Sequence, residues 1–207
     1  MAQNAQPVLR TPAKQAKYRQ RYGEILDAAA AVFAAKGYHG ASTKDIADRL
    51  GIRQGSLYYY FPSKEVALEE VCKIGVEGFV NRLSAIVEGD GTAAEKVRAA
   101  VFNHLEPLRG RRDYVRVFLK ERHKLTGEPH HAVGRLSRQY EQLLERLLSE
   151  GVAAGSFRRD VDCRVAVLAL LGMCNTAADW HHEDGQRSLE QIADAFAGLF
   201  LGGVTAI

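Results

Sequence analysis

Three times in this chain a hydroxyl side chain stands three residues ahead of a carboxylate or amide, with an apolar run of helical period behind it: Ser42 with Asp45, Thr92 with Glu95, and Ser188 with Gln191. Such a pair satisfies N–H groups that the first helical turn leaves open, so each marks where a helix begins. Elsewhere apolar residues recur every three and four positions, as in Ile25, Ala29, Val32 and Phe33, or in Leu136, Tyr140, Leu143, Leu144, Leu147 and Leu148. No segment alternates convincingly with the period of two that a half-buried strand needs, and no internal repeat is visible. The expectation is an all-α chain of about nine helices.

Breakers and caps divide these helices. The first runs from Arg21 to Gly37, where a left-handed cap fits, and a short one runs from the Ser42 cap to Leu50. Gly51 interrupts the chain before a second short helix, from about Arg53 to Tyr60, and Ser63 caps a long helix carrying Val66, Val71, Ile74 and Phe79. The helix opened by Thr92 is ended by Pro107 and Gly110; Asp113 to Leu125, His131 to Val152, Asp162 to Trp180 and a last helix from Ser188 complete the set. Residues 1–20, with Pro7, Pro12 and four basic side chains, read as a flexible basic arm. The predicted division is therefore this arm, a head at 21–64 and a larger body at 65–207.

Charge follows the same division. Residues 1–64 carry ten Lys and Arg against four Asp and Glu, a net charge of +6, whereas residues 65–207 carry 18 against 21, a net charge of −3. A basic head on a mildly acidic body suits contact with phosphates at one end only. The longest strongly apolar run, Val165 to Ala178, includes Gly172 and Asn175 and falls short of the ~20 residues that a membrane span needs. The start of the chain lacks the apolar core of a secretory leader, so a cytoplasmic location and no membrane partner are expected. Cys72, Cys163 and Cys174 are far apart, which suggests neither a disulfide framework nor a zinc knuckle.

Thr43 to Phe61 meets the packing demands of a helix-turn-helix, whose two helices cross at roughly 90–120°. Ala47 is small at the crossing, Gly51 supplies the turn, and Ile46, Leu50, Ile52, Leu57 and Tyr60 offer a shared core. The other side of the second helix is polar. Gln54 can bond N6 and N7 of adenine, Ser56 can donate or accept, and Gly55 lets the backbone approach a groove. Thr43, Lys44, Arg53, Tyr58 and Lys64 suit phosphate oxygens. Tyr58 and Tyr59 are expected to face DNA, and Tyr60 and Phe61 to face the core.

The segment ILDAAAAVFAAKGYHGASTKDIADRLGIRQGSLYYYFPSKEVAL, and LYYYFPSKE above all, resembles the amino-terminal DNA-binding domain of TetR-family transcriptional regulators. The likeness is strong over about residues 21–70. It implies a three-helix helix-turn-helix domain followed by a larger helical ligand-binding and dimerisation domain, in a regulator, most often a repressor released by its ligand. It further implies that Thr43, Tyr58 and Lys64 meet phosphates and that Gln54, Gly55, Ser56 and Tyr59 meet bases. Position 59, often histidine in the family, is Tyr here.

One helix-turn-helix touches few bases, so a homodimer on a palindromic double-stranded operator is expected. The last two helices expose more apolar surface than one protomer easily covers, including Leu189, Ile192, Phe196, Leu199 and Phe200, and they are the expected dimer contact. Asn175 to Ile192 is similar to a pattern in relatives that answer to acyl-CoA thioesters. That likeness makes an acyl-CoA the candidate small-molecule effector, with Phe118, Arg122, Tyr140, Asn175 and Trp180 as candidate contacts. His181-His182-Glu183-Asp184 reads as a solvated turn rather than a metal site. No cofactor is expected, and no G-x-S-x-G, H-E-x-x-H or P-loop motif points to an enzyme. Binding to nucleic acid without sequence preference is the other function considered; excess random duplex would expose it.

Overall fold

The computed structural model describes residues 12–76, 78–182 and 184–206, and these form ten α-helices: α1 (Pro12–Gly40), α2 (Thr43–Arg49), α3 (Gln54–Leu57), α4 (Lys64–Val76), α5 (Phe79–Glu88), α6 (Ala93–Leu105), α7 (Leu108–Glu121), α8 (Gly127–Ala153), α9 (Cys163–Trp180) and α10 (Leu189–Val204). The described residues hold no strand, only an isolated antiparallel bridge between Phe157 and Thr205. All three expected capping boxes form, at Ser42, Thr92 and Ser188. Gly37 and Gly51, expected as breakers, take positive φ of 67° and 64°.

Several boundaries differ from expectation, among them α7 and α8, which begin at Leu108 and Gly127. α1 begins at Pro12, so residues 12–20 are helix rather than flexible arm; proline is tolerated in a first turn, where its missing N–H costs nothing. The rest of the expected arm lies outside the described residues. The recognition helix α3 is a single turn, with Tyr58 to Tyr60 continuing as a turn. The long helix from Ser63 is divided between α4 and α5, where Gly78 stands in left-handed geometry at φ 77°.

Two apolar cores hold the molecule together. Ile25, Phe33, Ile46, Leu57, Phe61 and Leu68 fill the first, beneath the helix-turn-helix; Leu50 and Tyr60 lie at its edge. Each such side chain contributes about 1.5–3 kcal/mol on burial. This core does not stop at residue 64, since Val71 and Cys72 of α4 and Tyr114 and Val117 of α7 belong to it. The second core joins α5, α6, α8, α9 and α10 through Leu83, Val101, Leu147, Val167 and Ala197, among others. α7 is shared: one face enters the first core, while Leu108, Val115 and Leu119 turn to the second.

Candidate nucleic-acid interface and effector cavity

Leu57 is buried against α2, and this anchor turns the rest of α3 outward. Gln54, Gly55 and Ser56 are exposed, as are Lys44 and Arg53. Tyr58 and Tyr59 keep 49% and 62% of their surface, whereas Phe61 is buried, as the sequence suggests for each. Gln54 Nε2 donates to Thr43 Oγ1 at 2.8 Å, and the Tyr58 hydroxyl lies 3.4 Å from that same oxygen. The hydrogen bonds hold three of the expected DNA contacts in one edge before any duplex arrives. Tyr59 is flanked edge-on by Tyr60 and by Tyr18 of α1, with ring centroids 5.1 and 6.2 Å away.

Lys64 stands apart from this edge. Its ammonium donates to the carbonyl oxygens of Tyr38 (2.8 Å) and Ala41 (3.0 Å) and sits 4.3 Å from the centre of the Tyr38 ring. A cation here satisfies carbonyls at the end of α1 that the helix leaves open. The neighbouring Glu65 accepts from the Tyr38 hydroxyl at 2.6 Å; that bond lowers the pKa of the carboxyl, and burial, helped by the same bond, pushes that of the phenol up to about 12. The Lys-Glu pair thus fastens the start of α4 to α1.

In the body, α4 to α9 surround a cavity of about 90 Å³, part of it open to solvent. Phe118, Arg122, Tyr140 and Asn175, all candidates from the sequence, line it beside apolar groups such as Phe79, Leu105 and Leu171. His104, to which the sequence assigns no role, joins them. Asn175 Oδ1 accepts from His104 Nε2–H at 3.0 Å, which leaves Nδ1 to accept from the Tyr140 hydroxyl at 3.1 Å. The exposed part of the imidazole opens into the cavity. Burial there lowers the His104 pKa more than the Asn175 bond raises it, so the ring is held neutral. His104 shares the inward phase of α6 with Val97, Ala100 and Val101, and that phase was its one legible signal. Gly75, Phe79 and Val115 also border an adjoining recess, whose other walls include Arg82, Arg109 and Arg111.

The family model for bacterial regulatory proteins of the tetR family matches residues 25–71, and that for the tetracyclin repressor-like C-terminal domain matches residues 90–204. This chain is a TetR-family transcriptional regulator. The HTH-type transcriptional repressor KstR2 of Mycolicibacterium smegmatis is 30% identical over 196 residues, covering 94% of each chain. The solved ketosteroid transcriptional regulator KstR2 of Mycobacterium tuberculosis superposes with a TM-score of 0.85 at 26% identity, over 90% of this chain and 96% of its own. AibR, solved in complex with isovaleryl coenzyme A and operator DNA, gives a TM-score of 0.77 at 29% identity, over 86% of this chain and 97% of its own.

Two expectations about the body of the regulator are corrected. Trp180 does not line the cavity: it lies two residues, roughly 200° of helical turn, past the cavity-lining Ala178 and packs edge-on against Phe196 of α10. It remains 47% exposed, on an apolar face with Val165 and Leu168 of α9 and Leu199 of α10, the last 71% exposed. His181, expected in a solvated turn, is buried. Arg112 fixes that region by donating to the carbonyls of Ala178 and Asp179, each at 3.0 Å, at the carbonyl-rich end of α9. Among the described residues no group of three or more His, Cys, Asp and Glu could hold a metal, and no helix is long and apolar enough to cross a membrane.

Proposed function

We propose that this regulator binds a palindromic operator as a homodimer, through the edge formed by Thr43, Gln54, Ser56, Tyr58 and Tyr59, and that an acyl-CoA thioester held in the body releases it. The edge offers polar atoms at the right end of the right helix to read bases, with Lys44 and Arg53 beside it for phosphates. Lys64 serves phosphate binding by positioning this edge. The exposed face of Val165, Leu168, Trp180 and Leu199 supports the dimer, since apolar side chains of this size lose free energy when left in water. A four-helix contact from α9 and α10 of two protomers fits it.

The observation that carries the effector is the adjacency of a largely apolar cavity and an arginine-rich recess, which share the walls Gly75, Phe79 and Val115. An acyl tail belongs in the first, and the phosphates of coenzyme A belong beside Arg82, Arg109 and Arg111, since guanidinium groups pair well with phosphate. Calorimetric titration of the full chain with acyl-CoAs of increasing length tests this, with operator release read in parallel. Saturable binding with release is expected; heats no larger than those of free coenzyme A throughout the series would remove the assignment.

A further inference from the structure

The first turns of α1, where the sequence suggests a loose arm, are fastened to the reading head by aromatic rings. Tyr18 stacks on Tyr60, with ring centroids 5.4 Å apart and planes at 21°, and on Tyr22, at 6.0 Å and 17°. It also meets Tyr59 edge-on at 6.2 Å. Ring pairs in these geometries stabilise beyond the area they bury, so together they counter the fraying of a helix end. Tyr59 is one of the expected base contacts, and the overhang is therefore held beside the edge that is to meet a groove.

One flank of the overhang is basic. Lys14, Lys17 and Arg21 recur at i, i+3 and i+7, within about 60° of one another around the helix, and Lys14 lies one turn from Tyr18 on the same side. Arg21 is engaged by Glu24 at 2.6 Å. No Asp or Glu stands between Pro12 and Gly23, so nothing along this stretch of helix neutralises Lys14 or Lys17, and both are exposed. Like charges three residues apart on a helix repel, and a row of anions alongside removes that cost.

We infer that the overhang is a second DNA contact of the head, in which Lys14 and Lys17 pair with phosphates bordering the groove that Gln54 and Tyr59 enter. A duplex is the anion that this position selects, because DNA that meets Tyr59 also passes the helix packed against it. The contact adds affinity for any sequence and leaves the choice of bases to α3. It rests on the reading of that edge as the surface turned to DNA.

The test uses the full chain with two duplexes, one that the parent enriches from a random library and one of arbitrary sequence. Lys14→Gln combined with Lys17→Gln should lower the slope of log affinity against log salt by about 1.8 for each head bound, on both duplexes alike. In phosphate-ethylation interference on the enriched duplex, about two of the positions that block the parent in each half-site should no longer matter, and the enriched consensus should be unchanged. Lys14→Arg with Lys17→Arg keeps the charge and should keep the parent's slope. Arg19→Gln, on the other flank of the helix, should leave slope and interference pattern as in the parent. A parental slope in the double Gln variant, or equal flattening by Arg19→Gln, overturns the inference and leaves the reading edge intact. If the parent enriches no sequence while the double Gln variant still flattens the slope on the arbitrary duplex, base reading by the edge fails and the overhang contact stands.

Discussion

The Tyr114 hydroxyl donates to the Asp27 carboxylate across 2.7 Å, joining α7, which walls the effector cavity, to α1 of the reading head. At the backbone of the same tyrosine, Gly75 of α4 lets two helices meet closely: a Cβ there would stand 2.8 Å from the Tyr114 carbonyl oxygen. Cavity and head therefore share α7 as a common part. Any ligand that prefers one placement of α7 biases the head by its difference in affinity for the two states, and by no more.

Tyr114→Phe removes this tie and keeps the ring in the core. Asp27 is exposed, so water replaces the lost donor, and the cost should be about 1 kcal/mol, or roughly 2–4 °C in melting temperature. Operator affinity without effector should hardly change, while release by effector should need more of it. Differential scanning fluorimetry and a DNA-binding titration with effector present read the two effects separately.

Lys44→Ala and Lys64→Ala should differ in kind. Lys44 is exposed with its charge free for a phosphate, so its loss should weaken all duplexes alike, reduce the salt slope by about one, and leave stability unchanged. Lys64 holds two carbonyls, so its loss should lower stability by about 1.5–3 kcal/mol, visible in urea denaturation, and weaken DNA binding as a consequence.

Leu199→Glu places a charge on the exposed apolar face of α10. A protomer should tolerate it, since the position is open to water. A symmetric interface meets each substitution twice, so sedimentation velocity should show a folded monomer for the variant and a dimer for the parent, with operator affinity falling at least a hundredfold, on the order of 3 kcal/mol.

Stability should depend on pH through His104, whose pKa in the folded protein lies below the ordinary imidazole value. Below about pH 6.5 the unfolded chain takes up a proton that the folded chain refuses. Stability is then full above that value and declines as pH falls toward the folded-state pKa. Denaturant midpoints between pH 7.5 and 5 should fall more steeply in the parent than in His104→Gln.

What the sequence disclosed depended on how far each residue's partner lay along the chain. Ser42, Thr92 and Ser188 cap helices through neighbours three residues on, and all were readable. Tyr58 and Tyr59 outside with Phe61 inside followed from a short local phase. The bonds of Lys64 to Tyr38 and Ala41 span more than 20 residues, so the sequence offers no sign of them. His104 and Asn175 are 71 residues apart, so no spacing could announce their bond. Trp180 was placed by a pattern tolerant of helical phase, and phase decides whether it meets the cavity or the face of α9 and α10.

Selection of bound duplexes from a random library, run on the parent and on Gln54→Ala, tests the reading edge most directly. The parent should enrich two inverted half-sites, and the variant should keep that symmetry while losing discrimination at one position per half-site, worth about 1–3 kcal/mol. Enrichment of no sequence by the parent, or an unchanged consensus from the variant, would contradict the account.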